Sequence, residues 1–280
     1  MNKNTDQYTC YICGSTEHQL IKNIKHKPEG EVDYGILPEK YKRVITQCLR
    51  CMVYTNQHHL LDESIYGGDY NASISQNNSL GSIRQRYDKV MSLPPEKSDN
   101  RARVSRIEAY FSSQGRDLSK LEALDVGSGT CVFPGAIKDK VKQCACIDPD
   151  PLAIEHAKNY VGIDVAHHGT LDDFPLNHHF DLITFNKVLE HVRNPVEILS
   201  KAASLLKDNG LVYVELPEGE RAVSQGIAAR RQEFFVEHYT IYNKASYLAL
   251  CEKAGYQAQH VHVITEASGK LTIYGFLKRK

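Results

Sequence analysis

The sequence predicts an α/β protein: a doubly wound, mainly parallel sheet preceded by a small cysteine-rich module. Three observations carry this reading. The run Leu124-Asp125-Val126-Gly127-Ser128-Gly129-Thr130 reads as a buried strand entering a glycine turn that opens a helix. Short apolar runs then alternate with helical periodicities, the pattern of strands joined by helical crossovers. Four of the eight cysteines are paired as Cys10-x-x-Cys13 and Cys48-x-x-Cys51 near the front of the chain.

The paired cysteines fit a tetrahedral four-cysteine zinc site, each tight turn supplying two thiolates. Gly14 helps the first turn bend. The 34 residues between the pairs exceed the usual gap, but a long loop closes at little extra entropy cost. Tyr41-Lys42-Arg43-Val44-Ile45-Thr46-Gln47 alternates enough to be a strand leading into the second turn. His18 and His26 are alternative ligands that the spacing does not favour. Four thiolates leave no open coordination position, so the metal is expected to hold shape and not to activate water. A redox pair is the competing reading, and it requires an exposed cysteine of low pKa. Cys131, Cys144, Cys146 and Cys251 lack ligand spacing and are expected to pack. Cys144 and Cys146 share parity, hence one strand face.

Residues 60–100 change character. Ser64-Ile65-Tyr66-Gly67-Gly68-Asp69-Tyr70-Asn71 is aromatic and glycine-rich, and residues 73–82 are polar. Pro94-Pro95 stops a helix. Ser98 or Asp99 then caps a new one carrying Val104, Ile107 and Phe111 on one face. The expected division is a zinc module over 1–60, a linker or lid over 61–93, and the α/β domain over 94–280.

The glycine turn lets backbone approach a ligand closely. The following strand, Cys144-Ala145-Cys146-Ile147, ends at Asp148, 23 positions after Asp125. An acid there accepts hydrogen bonds from both ribose hydroxyls of a nucleoside. A dinucleotide fingerprint needs a third glycine, where this chain has Val132. Asp125 would also repel a pyrophosphate. It suits a cationic ligand, and S-adenosylmethionine carries an amino group and a sulfonium.

On these residues the chain resembles class I S-adenosylmethionine-dependent methyltransferases over roughly residues 100–280. The glycine motif is Leu124 to Thr130, with Ser128 in place of the commoner cysteine. The second-strand acid is Asp148, followed by Pro149. The adenine-side loop is matched by Gly169-Thr170-Leu171-Asp172-Asp173. The fourth strand and its exit match as Phe180 to Asn186, then Lys187-Val188-Leu189-Glu190-His191, and the fifth strand as Gly210 to Pro217. The resemblance implies a Rossmann-like sheet of seven strands whose last strand, in a hairpin of Gln259–Thr265 and Leu271–Lys278, runs antiparallel. It implies cofactor contacts at Asp125, Gly127, Ser128, Gly129, Asp148, Pro149, Thr170, Leu171 and Asn186. Relatives with a cysteine-rich front end include sugar-modifying enzymes, whose following segment carries paired tyrosines over the active site. Tyr66 and Tyr70 are similar, and they pack the zinc module onto the core in the alternative reading.

Helices are expected after Pro149-Asp150-Pro151 and from Pro195, the latter ending at Asp208-Asn209-Gly210. Methyl transfer is an in-line displacement and largely a positioning task. A hydroxyl or carbon acid acceptor also needs a general base. In Phe234-Phe235-Val236-Glu237-His238-Tyr239-Thr240, which resembles the family segment after the fifth strand, His238 is the candidate base and Glu237 its neighbour. A structural histidine is the alternative. His191 reads as packing. The doublets His58-His59, His167-His168 and His178-His179 read as solvated loops. Glu215, Glu218 and Arg221 follow the fifth strand and are candidates for polar substrate groups, with solvated surface charge as the alternative. Lys187 and Arg231 are candidates for a phosphate, as a nucleotide sugar would require.

Lys plus Arg and Asp plus Glu both number 34, so net charge is zero. A protein gripping long nucleic acid normally carries a basic excess. No 18-residue apolar run is present, so no membrane span is expected, and the polar start is unlike a signal peptide. A cytoplasmic protein is expected, with the sequons at Asn71 and Asn77 irrelevant. The Asn-Pro-Pro-aromatic and Pro-Cys motifs of DNA-base methylation are missing. The expected function is O- or C-methylation of a small polar acceptor, a sugar or nucleotide-linked sugar. An RNA methyltransferase docking RNA through the zinc module, and a non-catalytic binding module, are the alternatives.

Overall fold

The computed structural model of the 280-residue chain describes residues 8–58, 60, 79–175 and 177–280. The front of the chain forms antiparallel strands β1 (His18–Ile24), β2 (Arg43–Cys48) and β3 (Tyr54–Gln57). β2 is the strand expected from the alternation at 41–47, and it delivers Cys48 at its end. Tyr66 and Tyr70, and most of the expected lid, lie outside the described residues.

Helix α1 (Leu80–Met91) is capped by Ser79 and Ser82 in a reciprocal box, and α2 (Asp99–Ser113) by the Ser98 side chain. Then follow β4 (Glu122–Val126), α3 (Val132–Ile137), β5 (Gln143–Asp148), α4 (Pro151–His156), β6 (Val165–His168), β7 (Phe180–Asn186), α5 (Pro195–Lys201) and β8 (Leu206–Pro217). The chain closes with α6 (Glu220–Ser224), β9 (Thr240–Ile241), α7 (Lys244–Lys253), β10 (Tyr256–Thr265) and β11 (Leu271–Arg279).

The large sheet has seven strands in the order β10-β11-β8-β7-β4-β5-β6. β8, β7, β4, β5 and β6 are parallel, and β11 is antiparallel to both neighbours. The chain builds outward from β4 to β6, then returns to β7 on the other side of β4. That reversal is the topological switch point where doubly wound sheets bind ligands.

Alternation sorts the two faces. Leu124, Val126, Ala145 and Ile147 enter one apolar core with Leu199, Tyr247 and Leu250. Ala123, Cys144 and Cys146 enter the other with Val104, Ile107 and Phe111 of α2. Cys144 and Cys146 therefore pack on one face, as their parity predicts.

Two local expectations are corrected. The helix from Pro195 gives way to a tight turn at Ala202–Leu205, and β8 begins at Leu206, before Gly210. Gly210 is thus inside the strand and not a helix stop. A Cβ there would lie 2.8 Å from the Phe180 carbonyl oxygen, so the close approach of β7 excludes any side chain. His167 and His168 lie on β6 and not in a loop.

The front module shares its packing with the rest of the chain. β9 adds to β3, pairing Ile241 with Tyr54 and Thr240 with Thr55. Tyr8, Cys10, Cys48 and Val53 belong to the same apolar cluster as Leu189 and Tyr242. Arg43, 1% exposed, pairs with Glu31 and donates to Asn56 Oδ1 (2.8 Å) and the Phe234 carbonyl (2.5 Å). Among the described residues no helix is long and apolar enough to cross a membrane.

Candidate active site

The carboxyl ends of β4, β5 and β7 lie side by side at the switch point. The loop after β4 has left-handed backbone at Gly127 (φ 68°) and Gly129 (φ 51°). Gly127 also lies under Val188, where an added Cβ would be 2.8 Å from Cγ2. The Gly127 amide donates to the Ile147 carbonyl at 2.8 Å, and the Gly129 amide to Asp148 Oδ2 at 2.7 Å. Ser128 Oγ closes the turn on the Asp125 carbonyl. The loop is therefore built onto the end of β5 before any ligand arrives.

Asp148 is 6% exposed, and its other oxygen accepts the Asp150 amide at 2.8 Å. Burial pushes its carboxyl up to about 6. Asp125, 3% exposed, accepts at Oδ1 from Thr184 Oγ1 (2.5 Å) and Asn186 Nδ2 (2.8 Å), and burial pushes it too up to about 6. Asn186 Oδ1 is a buried acceptor with no hydrogen-bond partner. A cationic amino group fits this acidic, acceptor-rich corner. The Pro149 carbonyl meets His168 Nε2 at 2.9 Å. Thr170 is tied to Asp173 through its amide (2.8 Å) and hydroxyl (3.0 Å), while Leu171 turns into the core.

A cavity of about 330 Å³ opens beyond the end of β7, lined by Lys187, Glu190, His191, Glu237, His238 and Lys270 among others. Lys187 sits at φ 61°; its amide donates to the Glu215 carbonyl and its Nζ to Thr272 Oγ1 at 2.8 Å. Desolvation lowers its pKa against the pull of Glu215 and Glu190. His238 Nδ1 meets the Glu233 carbonyl at 2.9 Å, and His191 Nδ1 the Glu237 carbonyl at 3.1 Å. With Nδ1–H donated to a carbonyl, each ring carries its lone pair on Nε2. Burial lowers His238 to about 4 and raises Glu237 to about 7. His238 is therefore a neutral imidazole at neutral pH, the form that accepts a proton.

The remaining candidates are engaged elsewhere. Arg231 is paired with Glu233 through two hydrogen bonds and donates to the Gly269 carbonyl at 2.7 Å. Glu218 accepts the Glu220 amide, and Arg221 donates to Thr265. Glu215 is fully buried, held by Arg103 and Arg106. Arg103 was not legible as a site residue. Its one signal is a cation directly beside the apolar stripe Val104, Ile107 and Phe111.

At the front, Cys10 and Cys51 Sγ lie 3.5 Å apart, Cys13 and Cys48 Sγ 3.6 Å, and all four sulfurs lie within 4.8 Å of one another. Tetrahedral coordination with metal–sulfur bonds of about 2.3 Å places sulfurs about 3.8 Å apart. The donor set fits one thiolate-bound metal ion.

Residues 93–261 match the family described as methyltransferase domain. The chain belongs to that family. Among curated proteins, it is 25% identical over 161 residues to the ubiquinone biosynthesis O-methyltransferase of Nitrosospira multiformis, covering 55% of this chain and 65% of the relative. It is 32% identical over 119 residues to that of Glaesserella parasuis, covering 38% and 49%. The methyltransferase-domain chain thus spans from 49% to 65% of the length of these relatives. Solved structures extend the fold comparison. Magnesium protoporphyrin IX methyltransferase of Synechocystis PCC 6803, with bound SAH, superposes with a TM-score of 0.57 at 14% identity, over 78% of this chain and 100% of that one. The 1,6-didemethyltoxoflavin-N1-methyltransferase of Burkholderia thailandensis gives 0.53 at 12%, over 85% and 96%. At such identities the likeness shows the shared α/β methyltransferase fold alone. None of these four relatives is named for a sugar acceptor, so the comparisons do not carry the sugar expectation.

Proposed function

We propose that this chain transfers a methyl group from S-adenosylmethionine to a hydroxyl of a small polar acceptor. When bound, S-adenosylmethionine supplies an electrophilic methyl group. Asp148 would hold its ribose, the loop Gly127-Ser128-Gly129 its backbone-facing edge, and Asp125 with Asn186 its amino group. Pro149, Thr170 and Leu171 would border the adenine. The orphaned Asn186 Oδ1 supports this reading, because it lacks the donor that an amino group provides.

His238 removes the acceptor's hydroxyl proton at Nε2, and the bared oxygen is the nucleophile. Glu237 and Lys187, which line the same cavity, orient the acceptor's polar groups. The observation that carries the assignment is the neutral, carbonyl-anchored His238 lining a cavity with Lys187, the residue that follows Asn186. The charged side chains in that cavity, Lys187, Glu190, Glu237 and Lys270, favour a hydroxyl-rich acceptor, such as a sugar. A quinone-type acceptor is the second reading, favoured by the names of the curated relatives. At the front, Cys10, Cys13, Cys48 and Cys51 hold a structural zinc ion.

The test is transfer of isotope-labelled methyl into cell extract separated into water-soluble small molecules, lipids and macromolecules. Label in the water-soluble fraction supports the sugar-like acceptor, and label in lipid supports the quinone. Label confined to RNA or protein overturns both readings.

A further inference from the structure

Glu190 poses a problem that the methyl-transfer reading leaves unsolved. It is fully buried, and neither carboxylate oxygen has a hydrogen-bond partner. A buried carboxylate without donors is costly unless a cation meets it or it takes up a proton. The ammonium of Lys187 is directed to Thr272 Oγ1 at 2.8 Å, not to Glu190. Lys270 lines the same cavity but is exposed.

Two imidazoles stand beside that carboxylate. The rings of His191 and His238 lie 4.7 Å apart at 70°, and one ligand atom from each of Glu190, His191 and His238 lies within 4.8 Å of the others. Both rings are fixed through Nδ1 by backbone carbonyls, at 3.1 Å and 2.9 Å. That is the outer-shell arrangement that orients a metal-binding histidine and presents Nε2 to the ion. Two histidines and one carboxylate form a ligand set that leaves coordination positions open. In a bound site the ligand atoms stand about 3.3 Å apart, so closing on an ion asks for side-chain shifts of about 1 Å.

We propose that Glu190, His191 and His238 bind one divalent transition-metal ion, of the zinc class, in the acceptor cavity, separate from the four-cysteine site. This rests on the reading of that cavity as the acceptor site. An ion held there would lie in the cavity with coordination positions left open, and it would make a coordinated hydroxyl more acidic, the proton passing to water. In the loaded state His238 is a ligand, and coordination replaces it as the means of deprotonation. An acceptor with two neighbouring oxygens, as a sugar diol presents, would fill two positions at once.

The experiment is equilibrium dialysis of the full chain against Zn²⁺, with metal counted per chain and S-adenosylmethionine binding measured on the same samples. Wild type is expected to hold two equivalents. Glu190→Gln and His191→Gln are expected to keep the thiolate-bound equivalent, which shows that they fold, and to lose the other. Co²⁺ added to protein that carries only the thiolate-bound zinc is expected to broaden the ring signals of His191 and His238 in NMR spectra. A single equivalent in wild type, two in both variants, or unaffected histidine signals would each overturn the proposal. Two equivalents without S-adenosylmethionine binding would instead sink the methyl-transfer reading and leave the metal site standing.

Discussion

Asn56, on the last strand of the front module, donates through Nδ2 to the His238 carbonyl at 2.8 Å. The same amide reaches the Phe234 and Phe235 carbonyls at 3.2 and 3.1 Å. One buried side chain thus fixes the segment that bears His238 and Glu237. The cysteine-rich module is packed onto the segment that lines the His238 cavity, and Gly30 and Val32 of that module line it too.

Asn56→Ala should therefore act on turnover and not on cofactor binding. It takes the donor from the His238 carbonyl and one acceptor from Arg43, while the Phe234 and Phe235 carbonyls keep Arg43 and the His238 amide; each unmet group costs about 1–3 kcal/mol. Methyl transfer is expected to fall at least tenfold while calorimetric affinity for S-adenosylmethionine stays within twofold. Equal losses in both would show that Asn56 supports the whole fold.

Gly127→Ala and Gly129→Ala should separate steric from conformational demand. Both positions have positive φ, which costs an L-residue about 1–2 kcal/mol. Only Gly127 adds a collision, with Val188 Cγ2 at 2.8 Å, while nothing lies within 4 Å of a Cβ at Gly129. Cofactor affinity is expected to fall further for Gly127→Ala, and Val188→Ala should recover part of that loss. Equal losses at the two glycines would refute the steric account.

How much was legible in the sequence follows from which forces are local. The glycine turn, the strand-end Asp148 and the alternation of β4 and β5 are set by near neighbours, and they stand as expected. The clustering of the four cysteines was legible because each C-x-x-C turn brings two thiols together locally. The strand β9 was not, because two residues, Thr240 and Ile241, acquire strand geometry only by pairing with β3. The same holds for Arg103 and Glu215, 112 positions apart, which read singly as surface charges. Gly210 misled because a helix stop and a close strand approach ask for the same residue.

Cofactor affinity and apo stability should move in opposite directions with pH. Burial pushes Asp125 and Asp148 up to about 6, so the free protein favours their protonated forms. The stability this contributes is fully present below the unfolded value near about 3.9 and is lost as pH rises through about 6. The cofactor's amino group and ribose need the ionised forms. S-adenosylmethionine affinity is therefore expected to fall as pH drops through about 6, and titrations at about pH 5 and pH 7.5 check it. Asp148→Asn should weaken binding at both pH values and flatten the dependence.

Arg103 Nε and Nη2 meet Glu215 Oε2 and Oε1 at 3.0 and 2.5 Å, and Arg106 adds a third contact at 2.9 Å. Burial alone would raise the Glu215 carboxyl; the two guanidinium groups overcome this and hold it well below the usual range. Removing one partner of a buried pair costs about 3–5 kcal/mol, because the other stays buried and uncompensated. Arg103→Ala is expected near the lower end, since Arg106 remains, with the loss read from urea unfolding. The pair's contribution is present above the unfolded glutamate value of about 4.3 and fades as pH falls below it. The stability deficit of Arg103→Ala should therefore narrow in acid, and a constant deficit would contradict the ionic account.

The four thiolates make the last prediction. Two pairs of sulfurs at 3.5 and 3.6 Å are too far apart for disulfides, whose bond is about 2.05 Å, and suited to a shared ion. Freshly purified protein should contain thiolate-bound zinc, and Cys48→Ser should lose it. Cys10 and Cys48 pack in the cluster that includes Leu189 and Tyr242, and β3 holds β9. Loss of the ion should therefore reach the His238 segment and abolish turnover. The glycine loop and Asp148 hang on β4 and β5, so S-adenosylmethionine binding should survive. Protein without thiolate-bound zinc, carrying disulfides by mass under non-reducing conditions, would replace the zinc reading with the redox one. Zinc loss with unchanged turnover would keep the ion but deny the front module its hold on the acceptor site.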